Sequence, residues 1–229
     1  MHRRVWFLVA AVAAVLGLAG SAAAMTVNSA SSARAATPFE KAMLSVPRTP
    51  TGRAAKSVVK FAMEQDAGGF NLANENFTGA WAAYFGETPI IRGDYIIDQK
   101  GKYHLDMASK VVATKKSLKI TIKKSAKWNW LGHGLHPVSA QDYIYTWQQF
   151  VKPGNDVAST TGYSNITKAK ASNHNKTVTF FWKKPFADYR DLFGYIYPAY
   201  AIKGQDWNTL WAHCVCGNGG GAISDGPFY

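Results

Sequence analysis

The sequence predicts a mixed α/β fold in which strands and helices share one core, and two patterns carry that prediction. Between residues 118 and 123, Leu and Ile alternate strictly with Lys and Thr, which is the pattern of a strand with one buried face. Further along, Tyr143, Trp147 and Phe150 recur at helical spacing. The Pro-Gly pair at 153–154 ends that helix. Strand, loop and helix in this order are typical of an α/β domain.

The start of the helix is marked by Ser139, which stands three residues before Asp142. This spacing predicts a capping box in which Asp takes the place of the usual Glu or Gln. Before it come the aromatic pair Trp128 and Trp130, and then a loop with glycines at 132 and 134.

Shorter patterns predict the remaining elements on either side of this strand and helix. These are a strand at 58–63, a helix over 77–85, a hairpin joining 90–97 to 103–105, an extended stretch beginning at 162–166, a strand at 177–182, and helical turns at 188–192 and 207–211.

Composition indicates a globular protein, with 47% hydrophobic and 14% aromatic residues in 229. The net charge of +12 suits nucleic acid, an anionic membrane face or an anionic ligand, but it also suits solubility alone. The lysines are scattered, with short pairs at 115–116, 123–124 and 183–184, which favours solubility. Because the chain has no zinc finger or arginine-rich arm, we expect no nucleic-acid partner.

The first 24 residues read as a signal peptide. Arg3 and Arg4 precede an apolar run over 5–20, and Ala22–Ala24 forms a small-residue cleavage site. Residues 25–55, rich in Ala, Ser, Thr and Pro, read as a linker, which leaves 56–229 for the folded domain. We therefore expect export to the periplasm or the extracellular cell envelope. No cysteine follows the apolar run, so a lipid anchor is not expected.

Two cysteines, Cys214 and Cys216, are separated by one residue. In an exported protein a disulfide is the first interpretation. Free thiols come second, and a metal site with His213 comes third because a fourth ligand is not evident.

Catalytic motifs are not evident in the sequence. There is no Gly-x-Ser-x-Gly elbow, and His133 and His136 lack the Glu of a metalloprotease motif. Gly219–Gly221 is not followed by the Lys of a phosphate loop. We therefore expect neither an enzyme nor a cofactor. Trp128 and Trp130, beside the Gly-containing loop, could either enclose a ligand or pack in the core.

Four motifs in order resemble the extracellular solute-binding proteins of family 5, which serve peptide and nickel ABC importers. They are Lys127-Trp128, Pro137-Val-Ser-Ala-Gln-Asp142, Lys183-Lys-Pro185 and Ser224-Asp-Gly-Pro-Phe228. The resemblance covers about residues 56–229. One departure is that the family's Asp-Gly after the Trp is replaced here by a longer stretch without an acid.

The resemblance implies a periplasmic-binding-protein type II-like fold, of which this chain supplies the first lobe and stops before the second. It implies a monomer that binds a peptide or another small solute in a cleft and delivers it to the membrane permease. It also places Glu64, Gln65 and Asn71 beside the cleft, and we add Trp128 and Trp130 as candidate ligand-binding residues. The competing hypotheses are a secreted hydrolase and a basic module that binds polyanions.

Overall fold

The computed structural model describes residues 68–77 and 90–226. The predicted signal peptide, linker and first strand lie outside the described residues, as does most of the helix predicted over 77–85. Within the described ranges the chain forms nine strands and two α-helices. The strands are β1 (Tyr95–Ile97), β2 (Tyr103–Leu105), β3 (Ala108–Ala113), β4 (Ser117–Ile122), β5 (Lys127–Trp130), β6 (Gly134–Pro137), β7 (Ile166–Ser172), β8 (Thr177–Trp182) and β9 (Ile223–Ser224), and the helices are α1 (Ala140–Val151) and α2 (Ala199–Ile202).

The largest sheet contains four antiparallel strands in the order β3-β4-β8-β7. Its strands alternate between a buried and an exposed face, as the sequence predicts. Ile120 on β4 and Phe180 on β8 are fully buried, whereas Lys119, which precedes Ile120 on β4, is exposed. Helix α1 covers the buried face, where Trp147 meets Phe180 edge to face at 6.1 Å. The other face is open to solvent.

Helix α1 begins as the capping pattern predicts. Ser139 is its N-cap and accepts a hydrogen bond from the Gln141 amide at 3.2 Å. The Asp142 carboxylate in turn accepts from the Ser139 amide at 2.8 Å. The capping box with Asp in the third position is therefore confirmed.

The segment after Trp130 was predicted as a loop, which is correct for the turn at 131–133 but wrong for Gly134–Pro137. Strands β5 and β6 form an antiparallel hairpin there. Gly132 and Gly134 have φ values of +84° and +88°, a conformation that glycine adopts without steric cost, so the chain reverses within a few residues.

Two other short predictions need correction. Residues 163–165 form a 3₁₀ turn and extended structure begins only at Ile166. The stretch over 207–211 makes successive turns instead of a helical turn. By contrast, β8 lies where it was predicted. The predicted hairpin also forms, although its first strand covers only Tyr95–Ile97 of the stretch 90–97.

Candidate ligand-facing surface

The three-stranded sheet, ordered β6-β5-β9, positions the two candidate tryptophans. Trp128 and Trp130 are two residues apart on the central strand β5 and therefore point to the same side of the sheet. Trp128 is completely buried, and 8% of the surface of Trp130 is exposed. The two side chains thus differ in what they can offer a ligand.

Trp128 supports the fold around the site. Its indole N–H donates to the Asp142 carboxylate at 3.4 Å, and the same carboxylate accepts from the Ala199 amide at 2.9 Å. Burial raises the pKa of Asp142 to about 6, while the hydrogen bonds from Ser139 and Ala199 oppose that rise. One carboxyl group therefore joins β5 to the N-termini of both helices.

Trp130 is enclosed by a glycine-rich segment. Its indole N–H donates to the Gly220 carbonyl at 2.9 Å. A Cβ on Gly217 would lie 2.6 Å from the indole ring, and a Cβ on Gly221 would lie 2.2 Å from the Leu131 carbonyl oxygen. These close approaches explain why the segment is rich in glycine, because any larger side chain would push it away from Trp130.

Exposed rings continue outward from Trp130. His133 stacks on it with ring centroids 3.8 Å apart and an angle of 20° between the planes. His136 stacks on Tyr200 at 4.5 Å, and Tyr200 lies 5.7 Å from Trp130. We call these four rings the aromatic surface. It is flanked by Leu131 in the turn and by Leu135, which the strand register places opposite Asn129 on the other face of the hairpin.

The outer part of the aromatic surface and the two flanking leucines are exposed to solvent. Tyr200 is 39% exposed, and the leucines at 131 and 135 are 54% and 64% exposed. Strand β6, which carries Leu135, pairs only with β5 among the described strands and is an edge strand of this sheet. A ligand here would meet stacked rings, leucine side chains and backbone N–H and C=O groups.

A small apolar cavity of about 250 Å³ lies beside the three-stranded sheet. Its walls include Phe70, Ile90, Val215 and Ile223. The disulfide between Cys214 and Cys216 forms part of the lining, which agrees with the first interpretation of the cysteine pair.

Asn71 holds the segment 68–77 against this region. Its amide oxygen accepts from the Tyr197 hydroxyl at 2.7 Å, and its amide nitrogen donates to the Trp207 carbonyl at 3.4 Å. The Asn71 side chain is fully buried, so its position anchors the neighbouring Phe70 in the cavity wall. Glu64 and Gln65 lie outside the described residues and remain predictions.

Buried acids fasten the end of β9. The Asp225 carboxylate accepts from the Arg92 amide at 2.8 Å, and the Arg92 guanidinium pairs with Asp106 at 3.0 Å. Burial raises the pKa of Asp225 well above its usual value, although Arg92 opposes the rise. Nearby, the Tyr143 hydroxyl donates to Asp94 at 2.5 Å, and burial raises the pKa of Asp94 to about 7.

Within the described part of the chain, no group of three or more His, Cys, Asp or Glu side chains is arranged to hold a metal ion. None of the helices in those same residues is both long and apolar enough to cross a membrane. The aromatic surface and strand β6 favour binding of a ligand through ring stacking, apolar contact and backbone pairing.

Sequence reasoning missed Tyr200 and the role of the glycines. Tyr200 lies 70 positions after Trp130 in the chain, and nothing in its local pattern distinguishes it from a core residue. The run Gly219–Gly221 lacks the Lys of a phosphate loop, and its contact with Trp130 joins residues 90 positions apart in the chain, which no local pattern indicates.

No protein-family model matches this chain. A curated relative from Mycobacterium tuberculosis, the probable monoacyl phosphatidylinositol tetramannoside-binding protein LpqW, is 32% identical over 85 residues. That match covers 37% of this chain and 13% of the relative.

Solved structures of binding proteins are similar over much more of the chain. The periplasmic EDTA-binding protein EppA matches 71% of this chain with a TM-score of 0.61 and 20% identity. The Escherichia coli murein tripeptide binding protein MppA matches 72%, with a TM-score of 0.55 and 17% identity. The Bacillus subtilis oligopeptide-binding protein AppA, in complex with a nonapeptide, matches 62%, with a TM-score of 0.53 and 16% identity.

These likenesses show a mixed α/β fold of the periplasmic-binding-protein type II kind. The matches cover 31%, 33% and 28% of those three proteins, so this chain spans about a third of their length. The predicted fold class is confirmed.

Proposed function

We propose that this chain forms part of the first lobe of a family 5 solute-binding protein, which binds solute outside the cytoplasm and delivers it to the permease of an ABC importer. The observation that carries the proposal is the fold likeness to periplasmic binding proteins, with a TM-score of 0.61 for EppA over 71% of the chain. The order of the sequence motifs from Lys127-Trp128 to Ser224-Asp-Gly supports the same family. The signal peptide that the sequence predicts over 1–24 would suit a role outside the cytoplasm.

The solute-facing wall of this lobe comprises the aromatic surface and the segment that Asn71 anchors. Glu64 and Gln65, which precede that segment, are proposed to border the same cleft. Trp128 supports the wall from behind through Asp142, and Trp130 forms its floor under His133. Binding requires no covalent chemistry, so the protein is not an enzyme on this proposal.

Oligopeptides are the proposed solute. As an edge strand, β6 offers backbone groups that an extended peptide can pair with, in the manner of strand addition. The stacked rings and the leucines at 131 and 135 offer contacts for alternate peptide side chains. The mycobacterial relative is named as a probable monoacyl phosphatidylinositol tetramannoside-binding protein, so a mannosylated lipid headgroup is a second solute class to include in the test.

Saturation-transfer NMR with defined tripeptides and a mannose oligosaccharide tests this proposal, because the method detects weak binding to a single lobe. We expect transfer to tripeptide protons for the full chain and a loss of at least about tenfold for Tyr200→Ala. Tyr103→Ala is the matched control, since Tyr103 lies on β2 and pairs with Asp191 instead.

The same samples should contain intact peptides after incubation, as measured by mass spectrometry. Cleaved peptides would favour the hydrolase hypothesis. The proposed site would be contradicted if Tyr200→Ala and Tyr103→Ala reduced the saturation transfer equally. It would also be contradicted if no solute showed saturation transfer at all.

A further inference from the structure

The open face of the four-stranded sheet gathers lysines that are scattered in the sequence. The strand register aligns Lys119 of β4 with Thr179 of β8, and Thr179 with Lys170 of β7. Lys110 pairs with Thr121 on the same face, and Lys168 pairs with Phe181. All four lysines are exposed. Since neighbouring strands lie about 4.8 Å apart, the lysines occupy a patch roughly 15–20 Å across.

No acid offsets this charge from within the sheet. Residues 107–141 contain seven lysines and no Asp or Glu, and residues 157–187 contain five lysines and no Asp or Glu. None of the ion pairs within the described residues uses a lysine, because they join Arg92 to two aspartates and His104 to Asp98. The patch therefore carries one sign of charge, and its width is about two Debye lengths at physiological salt.

One end of the sheet extends the patch. The turn between β3 and β4 carries Lys115 and Lys116, and the end of β8 is followed by Lys183 and Lys184. The Trp182 amide donates to the Lys116 carbonyl at 3.2 Å, which places the two lysine pairs side by side. All four of these side chains are exposed. We call the eight lysines of the face and its end the basic face.

We propose that the basic face docks on an anionic lipid bilayer. Charge complementarity argues for an anionic partner. The shape of the face argues for a broad one, because the exposed lysines spread across β3, β4 and β7 of a twisted sheet and the cavity lined by Lys123 and Lys176 lies at the end of this sheet. Two partly exposed apolar side chains, Val112 at 39% and Phe181 at 37%, stand among the lysines. Lysine charge around an apolar side chain suits the headgroup region of a bilayer.

The chemistry of the face favours a bilayer over nucleic acid. All its cations are lysines, whereas phosphate and base recognition in nucleic acids favours the bidentate guanidinium of arginine. Phe181 is a single ring, which gives no row of stacking platforms for successive bases. The face lies on the four-stranded sheet and the aromatic surface on the three-stranded sheet, so bilayer docking does not depend on the proposed solute site.

Vesicle flotation with the full chain tests this inference. The probes are phosphatidylcholine vesicles with and without phosphatidylglycerol, and the measured quantity is the difference in partition coefficient between them. An apolar segment inserts in both kinds of vesicle, so only the difference reports charge. We expect stronger partition into the anionic vesicles, weakening steeply as salt rises from 50 to 300 mM.

The decisive variant replaces three lysines of the face, Lys119→Gln, Lys168→Gln and Lys170→Gln. Each lysine near an anionic surface contributes about fivefold to binding, so the triple variant should lose on the order of 100-fold. The matched control carries Lys100→Gln, Lys152→Gln and Lys203→Gln, which removes the same charge from exposed positions outside the sheet. We expect the control to lose less than about fivefold, and circular dichroism to show that both variants are folded.

Three results would overturn the inference. Equal losses in the two triple variants would mean that net charge alone drives binding. Equal partition into neutral and anionic vesicles would exclude an electrostatic contact. Competition by a short DNA duplex at concentrations far below those of lipid headgroup would identify nucleic acid as the better partner.

Discussion

The four-stranded and three-stranded sheets achieve stability by different means. In the four-stranded sheet, strands of six or seven residues alternate between a face under α1 and an open face. In the three-stranded sheet, strands of four and two residues depend on single contacts, such as Trp128 with Asp142 and Trp130 with Gly220. A repeated pattern tolerates change on its open face, whereas a set of single contacts does not.

The largest expected effect on stability comes from comparing two adjacent phenylalanines that lie on opposite faces of the four-stranded sheet. Phe180 is fully buried and Phe181 is 37% exposed. Phe180→Ala should lower the free energy of unfolding by about 4 kcal/mol because it leaves a cavity under α1. Phe181→Ala should lower it by less than about 1 kcal/mol. Urea unfolding measures both, and similar losses would mean that the face assignment is wrong.

The next effect tests how far the three-stranded sheet depends on Asp142. Asp142→Ala leaves the amides of Ser139 and Ala199 and the Trp128 indole without their acceptor, so we expect a loss of about 3 kcal/mol. Ser139→Ala removes only the N-cap side chain and should cost about 1 kcal/mol. If chemical denaturation gives the two variants the same stability, Asp142 does not join β5 to the N-termini of α1 and α2.

The dependence of stability on pH separates the two regions further. The four strands of the large sheet contain no Asp or Glu, so the buried acids that titrate lie outside it. Burial raises the pKa of Asp94 from 3.8 to about 7. The folded state therefore binds this proton more tightly than the unfolded state, and its stabilising effect is full below pH 3.8 and is lost as pH rises through 7. We expect about 2 kcal/mol less stability at pH 8 than at pH 5.5 from this group.

Asp94→Asn is the control for this pH dependence. The amide oxygen can still accept from the Tyr143 hydroxyl but carries no charge. Thermal unfolding across the pH range should therefore show a flatter profile for the variant, with Asp142 and Asp225 supplying the remaining slope. A wild-type melting temperature that rises between pH 5.5 and 8 would contradict the assigned direction.

The smallest expected effect compares two glycines with similar backbones. Gly132 and Gly221 have φ values of +84° and +81°, so alanine at either position should cost about 1 kcal/mol in backbone strain. Only Gly221 also faces the Leu131 carbonyl, at 2.2 Å from an added Cβ, and we expect a further loss of about 1 kcal/mol there. Differential scanning calorimetry of Gly132→Ala and Gly221→Ala measures the two losses of stability. Equal losses would mean that the glycine segment does not enclose Trp130.

The predictable parts of the molecule were those in which neighbouring residues determine the outcome. The alternation at 118–122 and the spacing of Ser139 and Asp142 are local, and both gave the observed strand and cap. The hairpin of β5 and β6 was missed because the turn depends on the φ angles of Gly132 and Gly134, which the residue names alone do not determine.

Long-range pairing decided what the sequence could not predict. The lysines read as scattered because β4 and β7 are far apart in the chain, and only their pairing with β8 brings Lys119 and Lys170 to one face. Tyr200 joined the candidate site for the same reason. The Asn71 prediction concerned a cleft-lining residue, and the structure places that side chain in a buried hydrogen-bond network beside the proposed wall.

The central claim is that solute meets the three-stranded sheet and leaves the four-stranded sheet unaffected, and indole NMR tests it most directly. The ¹⁵N-labelled indoles of Trp130, Trp147 and Trp182 donate to Gly220, Tyr163 and Thr114 respectively, so each reports on one place. Assigned by single Trp→Phe variants, the Trp130 resonance should shift on titration with tripeptide while those of Trp147 and Trp182 stay in place. Shifts at Trp147 or Trp182 without one at Trp130 would contradict the account.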